Sequence, residues 1–161
     1  MISDTSKASR STLESAAKAV RELIAMAKKG ALASLMPNTG APYASLVNVA
    51  NEEGEPVLLM SRLAWHTQNI LADSRSCLLI AAEDEGTDPL TRPRVSLLGR
   101  LQITNTESAR TLYLKVHPTA RSYAQFADFS FFKLNVDIAH YVAGFGQIIT
   151  IERPQLFEIS H

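Results

Sequence analysis

Leu58-Leu59-Met60-Ser61-Arg62-Leu63-Ala64-Trp65-His66-Thr67-Gln68-Asn69 is the stretch on which the reading of this chain turns. An apolar run that reads as strand ends abruptly in Ser61-Arg62, and a helix begins whose first turn carries His66 and Thr67. The first N–H groups of a helix lack partners within it. With a guanidinium, a hydroxyl and an imidazole beside them, they have the composition of a phosphate site. A plainer reading is an N-cap serine, a surface arginine and a helix-face histidine, because strand-to-helix junctions often carry serine. The residues alone leave both readings open.

Towards the N-terminus, residues 1 to about 10 are small, polar and charged and read as a mobile tail ahead of a single domain over 11–161. Ser11-Thr12-Leu13-Glu14 has capping-box spacing. Leu13, Ala16, Ala17, Val20, Leu23, Ile24 and Ala27 then recur on one helical face, with Gly30 as a left-handed stop. From Ala31 the period changes to that of strands: Ala31 to Met36, a turn at 37–40, Tyr43 to Ala50, a turn at 51–56, and Val57 to Ser61. Tight turns between these strands predict an antiparallel meander.

Beyond the quoted stretch, Cys77 to Glu83 resumes the sheet, and Arg94 to Thr104 is a long strand with Gly99 marking a bulge or bend. Thr106 opens a helix that His117-Pro118 breaks, and Thr119 is placed to cap another through Ala127. Phe129 to Val142 and Gln147 to Glu152 read as the closing strands, joined by Gly144-Phe145-Gly146. The class is α+β, with six or seven strands curled into a small barrel.

Composition narrows the function. The 161 residues carry 16 basic and 16 acidic side chains, a balance that argues against a general nucleic-acid or membrane-surface binder. No segment approaches the roughly 18 apolar residues that cross a bilayer. One cysteine, Cys77, excludes an intrachain disulfide, and the cytoplasm is the expected compartment. The four histidines show no metal-ligand spacing, and no P-loop, dinucleotide fingerprint or nucleophile elbow occurs. Ser45 and Asn48 are polar within an apolar strand, either satisfied locally or lining a pocket. Arg92-Pro93-Arg94 reads as a solvated sheet edge. Trp65 reads equally as a ligand cover or as an interface residue.

The quoted stretch, followed by Ala72-Asp73 and a strand, resembles the pyridoxamine 5′-phosphate oxidase-like split-barrel flavoproteins, and most of all their haem-utilisation branch, often called HugZ-like or HutZ-like. Asp88-Pro89-Leu90-Thr91-x-x-Arg94-Val95-Ser96-Leu97-x-Gly99 agrees with it. So do His117-Pro118-x-Ala120-x-x-Tyr123-x-x-Phe126-x-Asp128-Phe129 and Val142-x-Gly144-Phe145-Gly146. The resemblance implies a six-stranded antiparallel split β-barrel with flanking helices, assembled as a homodimer with FMN in clefts shared by both subunits. It implies an FMN phosphate at Ser61, Arg62, His66 and Thr67, and the flavin ring against Ser45, Leu46, Val47 and Asn48. Arg92 and Arg94 would then approach from the partner subunit.

The oxidase carries basic residues where this chain has Tyr43 and Asn48, and its C-terminal substrate-binding Trp and Arg pattern is missing. The implied function is therefore an FMN-binding oxidoreductase of unassigned substrate rather than an oxidase of vitamin B6. The alternatives on the same barrel are a haem-binding or haem-utilising protein and a non-enzymatic flavin-binding module. Haem-degrading relatives commonly have a C-terminal extension with a haem-binding histidine, whereas this sequence ends at His161.

Overall fold

Long-strand register is the organising feature of the computed structural model, which describes residues 8–84 and 86–157. Helix α1 (Arg10–Met26) leads into strands β1 (Lys29–Leu35), β2 (Pro42–Asn48), β3 (Ala50–Glu52) and β4 (Glu55–Ser61). Helix α2 (Trp65–Ala72) and strands β5 (Arg75–Ala81) and β6 (Arg94–Ile103) follow. The chain ends with helix α3 (Glu107–Val116), strands β7 (Phe129–Gly144) and β8 (Gln147–Glu152), and helix α4 (Arg153–Phe157). The strands form one antiparallel sheet in the order β2-β1-β5-β6-β7-β4-β3, with β8 added to β7. The sheet curls so that β2 comes against β4. No helix among the described residues is long and apolar enough to cross a membrane.

Alternation sends one face of this sheet inward. Leu32, Leu78 and Leu97 are aligned across β1, β5 and β6 and are fully buried. Ala16, Ala17, Val20 and Ile24 of α1 pack on the same core. Each buried leucine contributes about 1.5–3 kcal/mol, several times a surface ion pair such as Arg10–Glu14. Register is thus set by burial rather than by surface charge.

The bend expected at Gly99 is present. Register between β6 and β7 shifts between Leu98 and Gly99, and the extra residue is Asp137 of β7. A Cβ on Gly99 would stand 2.0 Å from the Asn135 carbonyl oxygen, so only glycine allows the two backbones to approach. The bulge also reverses parity along β7. Phe132, Leu134 and Val136 point inward before it, and Ala139 and Tyr141 after it.

Several expectations are corrected. The sheet has eight strands instead of six, partly because the Tyr43–Ala50 segment is divided at Val49 into β2 and β3. The meander does not continue: β2 pairs with β1, whereas the β3–β4 hairpin pairs with β7 at the other end of the sheet. Val49 carries the crossing. Its N–H donates to the Lys28 carbonyl (2.9 Å), and its carbonyl accepts from His117 Nε2 (2.8 Å). Both polar groups of this buried residue are therefore satisfied outside the sheet ladder. Glu53 and Gly54, both at positive φ, close the hairpin.

Ser9, not Ser11, caps α1 by accepting from Thr12 N–H (3.2 Å). Residues 1–7 of the expected tail lie outside the described residues, and Arg10 is already helical. Gly30 is a strand residue, chosen for space: a Cβ there would meet Leu78 Cδ1 and the Leu79 carbonyl oxygen at 2.9 Å. The helix expected after Thr119 is a 3-10 turn, Pro118–Ser122, followed by further tight turns. These turns bring Tyr123, Phe126 and Phe129 together, with ring centroids 4.9 Å apart for Tyr123–Phe129 and 6.4 Å for Phe126–Phe129. Helix α4 was not expected. Arg153 holds it by a fork onto Glu55 (3.3 and 3.1 Å) and by donating to the Val136 carbonyl.

Gly99→Ala is expected to lower stability by about 1–3 kcal/mol through overpacking against backbone. Melting should fall by roughly 3–10 °C, measured by circular dichroism at neutral pH.

Candidate functional site

A cleft of about 270 Å³ opens where the two ends of the sheet meet. Leu46, Val47 and Asn48 of β2 form one side and Leu59 and Met60 of β4 the other. His66 enters from α2, while Tyr113, Tyr123 and Phe129 close the far wall. The crossing at Val49 makes this geometry, because it separates β2 from β4 in the sheet yet leaves them facing each other in space. Tyr113 is buried at 2 % exposure and packs edge-on to Phe131. Burial holds its phenol far above the ordinary tyrosine range, so it stays neutral.

Helix α2 is fixed over β1 by Asn69, whose buried amide donates to Ser34 Oγ (3.1 Å). This places His66 beside β2, where Ser45 Oγ and His66 Nδ1 share a hydrogen bond of 3.0 Å. Two residues expected at the site from separate parts of the chain are thereby brought into contact. Burial pushes the His66 pKa below its ordinary value, so the imidazole is neutral at pH 7. Among the described residues it is the one histidine lining the cleft. His117 braces Val49, and His140 lies exposed near Thr150.

The strand-to-helix junction differs from the expected phosphate grip. Ala64 occupies the N-cap of α2 with no side-chain cap, which leaves the first N–H groups of the helix open. Arg62 is exposed and forms no ion pair among the described residues. Those features suit an anion. However, Ser61 Oγ donates to Asp128 Oδ2 (2.7 Å), and Arg62 N–H donates to the Asp128 carbonyl (2.7 Å). Thr67 is fully buried, and among the described residues its hydroxyl has no hydrogen-bond partner. One of the four expected donors, Ser61, is already engaged, and a carboxylate stands at the junction.

Arg92 and Arg94 lie away from their own protomer's cleft, their expected approach being to the cleft of the partner subunit. Arg92 donates to Thr87, and Arg94 to the Leu90 and Arg92 carbonyls. Arg94 pairs with Val142 at one end of β7, and Ser61 with Phe129 at the other. Roughly 40 Å of strand separates them. Sequence reasoning assigned no role to Tyr113, while Tyr123, Asp128 and Phe129 lay inside the quoted His117–Phe129 block. Their spacing in that block was the available signal.

A sequence model of the family described as CREG, beta-barrel matches residues 11–158. The chain belongs to that family. As a CREG beta-barrel protein it is 35% identical over 109 residues to the chloroplastic non-canonical heme oxygenase HOZ of Arabidopsis thaliana, a match covering 65% of this chain and 33% of that protein. Among solved structures it is similar to a heme binding protein from Mycobacterium smegmatis, with a TM-score of 0.84 and 31% identity, covering 88% of this chain and 60% of that one. It also shares the fold of a pyridoxinephosphate oxidase family protein from Clostridium acetobutylicum, with a TM-score of 0.68 and 12% identity, covering 89% of this chain and 98% of that one. The expected split-barrel class and its haem-related branch are thus both found. The chain spans only part of the plant and mycobacterial relatives' length.

Because burial depresses the folded pKa of His66, the unfolded chain takes up a proton first as pH falls below about 6.5. Stability should therefore decline on acidification from pH 7.5, and the decline should end once the folded pKa has been passed. In His66→Gln the stability difference between pH 7.5 and pH 5.5, read by urea denaturation, should be smaller than in the parent protein. An unchanged difference would mean that His66 is not held neutral.

Proposed function

We infer that this CREG beta-barrel protein binds haem in the cleft between β2 and β4 and works in haem utilisation as a homodimer. The observation that carries the reading is the neutral His66 imidazole, oriented by Ser45 against a wall of Leu46, Val47, Leu59, Met60 and three aromatic rings. A porphyrin is broad, apolar and aromatic, and its iron takes imidazole nitrogen. With Ser45 Oγ as acceptor, Nδ1 keeps its proton and Nε2 retains a lone pair for the metal. The aromatic rings would cover the macrocycle and exclude water, and Tyr113 would remain an uncharged hydroxyl. Oxygen-dependent turnover of the bound haem is the activity that similarity to the plant relative suggests.

FMN has less support from the geometry. The open helix start and Arg62 favour a phosphate, but Ser61 gives its hydroxyl hydrogen to Asp128, whose carboxylate stands beside it. A flavin oxidoreductase, or a module that only binds flavin, would have to hold the phosphate with the remaining donors. Free Cys77 suits the reducing cytoplasm.

The outer face of the sheet supports the dimer. Ala44, Ala33, Cys77, Leu98 and Ile138 run in register across five neighbouring strands, with Leu46, Ala31 and Leu79 in the adjacent row. Leu79 and Leu98 are 42% and 41% exposed, which leaves a continuous apolar surface that a second copy would cover. The cleft, at about 270 Å³, is also below the roughly 300–1,000 Å³ of pockets that enclose a drug-sized ligand, consistent with completion by a partner.

Haem titration should give a Soret band that saturates at low micromolar haem in the parent protein. His66→Ala should weaken binding at least tenfold, whereas His140→Ala should not. No Soret change up to tens of micromolar haem would remove the reading, and parallel FMN titration monitored by melting temperature tests the flavin alternative. Sedimentation should show a dimer that Leu98→Glu converts to monomer.

A further inference from the structure

The pair Ser61–Asp128 sits where a phosphate would need a donor. Ser61 has one hydroxyl hydrogen, and that hydrogen is given to Asp128 Oδ2 at 2.7 Å. Ser61 Oγ meanwhile accepts from Leu63 N–H at 3.2 Å, which fixes the oxygen, and turning its one hydrogen to another acceptor would cost the bond to Asp128. The Asp128 main chain is fixed as well, because its carbonyl accepts from Arg62 N–H at 2.7 Å. Asp128 is therefore anchored at the junction by one side-chain and one main-chain link, next to Phe129 of the cleft wall.

We propose that Asp128 is a specificity-determining residue that makes this cleft reject dianionic phosphate ligands and accept ligands that carry none. A phosphate at the open start of α2 would compete with Asp128 for the single Ser61 hydrogen and would stand within a few ångströms of its negative charge. Like charges at that distance in a half-buried site oppose binding strongly. Arg62 supplies one positive charge at the junction, and the Asp128 carboxylate offsets it. The consequence is a junction that keeps the geometry of an anion site but not its field. This inference concerns anion selectivity and holds whether or not haem is the physiological ligand.

Riboflavin and FMN differ by one phosphate and therefore isolate the effect. In the intact parent protein, FMN should bind at least tenfold more weakly than riboflavin, by quenching of flavin fluorescence. Asp128→Asn keeps an oxygen to accept from Ser61 while removing the charge. It should raise FMN affinity at least tenfold and leave riboflavin within about twofold. Ser61→Ala leaves the carboxylate in place and should give no gain in FMN affinity. A measurement on the parent protein alone provides a second test. Raising salt from 50 mM to 500 mM screens repulsion and should improve FMN binding relative to riboflavin, whereas an ordinary phosphate site would weaken. The proposal is overturned if Asp128→Asn brings no gain for FMN, if it raises both flavins equally, or if salt weakens FMN relative to riboflavin. Haem binding, read separately by its Soret band, can succeed or fail without deciding any of these outcomes.

Discussion

Backbone contact at Gly99 is the constraint on which the remaining architecture depends. Strand β7 is hydrogen-bonded to β6 along most of its length, to β4 over its first part and to β8 over its last. A strand that long in a tightly curled sheet must bend, and a regular pleat would keep one parity inward throughout. Asp137 breaks the pleat, and Gly99 lets the neighbouring strand close over the break. The first half of β7 can then place Phe129 at the cleft, while the second half buries Ala139 and Tyr141 in the core that α1 covers. Without that change of face, the parity that buries Phe132, Leu134 and Val136 would turn Ala139 and Tyr141 away from the same core.

Much of this was legible in the sequence because local signals were strong. The strand-to-helix junction, the glycine bulge, the Thr106 cap and the long closing strands follow from alternation, capping chemistry and glycine placement. The change of sheet partner at Val49 was not legible. Val47-Asn48-Val49-Ala50 continues a strand pattern, and nothing local says that hydrogen bonding passes from β1 to the opposite end of the sheet. The information lies in a buried carbonyl satisfied by His117, 68 residues away. The contact between Ser45 and His66 was hidden for the same reason.

A side chain with two uses is where residue type alone says least about a site. Thr67 has a hydroxyl suited to an anion but also a methyl suited to a core, and in α2 it is enclosed. Ser61 has the right chemistry for a phosphate, but its hydrogen already belongs to Asp128. Residue type reports what a group can donate; only the fold reports to whom. The cleft that results combines neutral walls with few charges, a setting in which each remaining charge counts for more than it would at the surface.

The β4–β7 pairing also has a consequence for how the protein is made. Ser61 of β4 must wait for Phe129, its partner in the register. At ribosomal speeds of about 5–20 residues per second, that interval lasts on the order of 3–14 s. During it the β3–β4 hairpin can close through its own tight turn, but its outer edge has no strand to join. Leu58 and Met60, both destined for the core, have no β7 to cover them meanwhile. An apolar edge left open for seconds is a template for the wrong neighbour, so the yield of native protein depends on how quickly the nascent chain supplies its seventh strand.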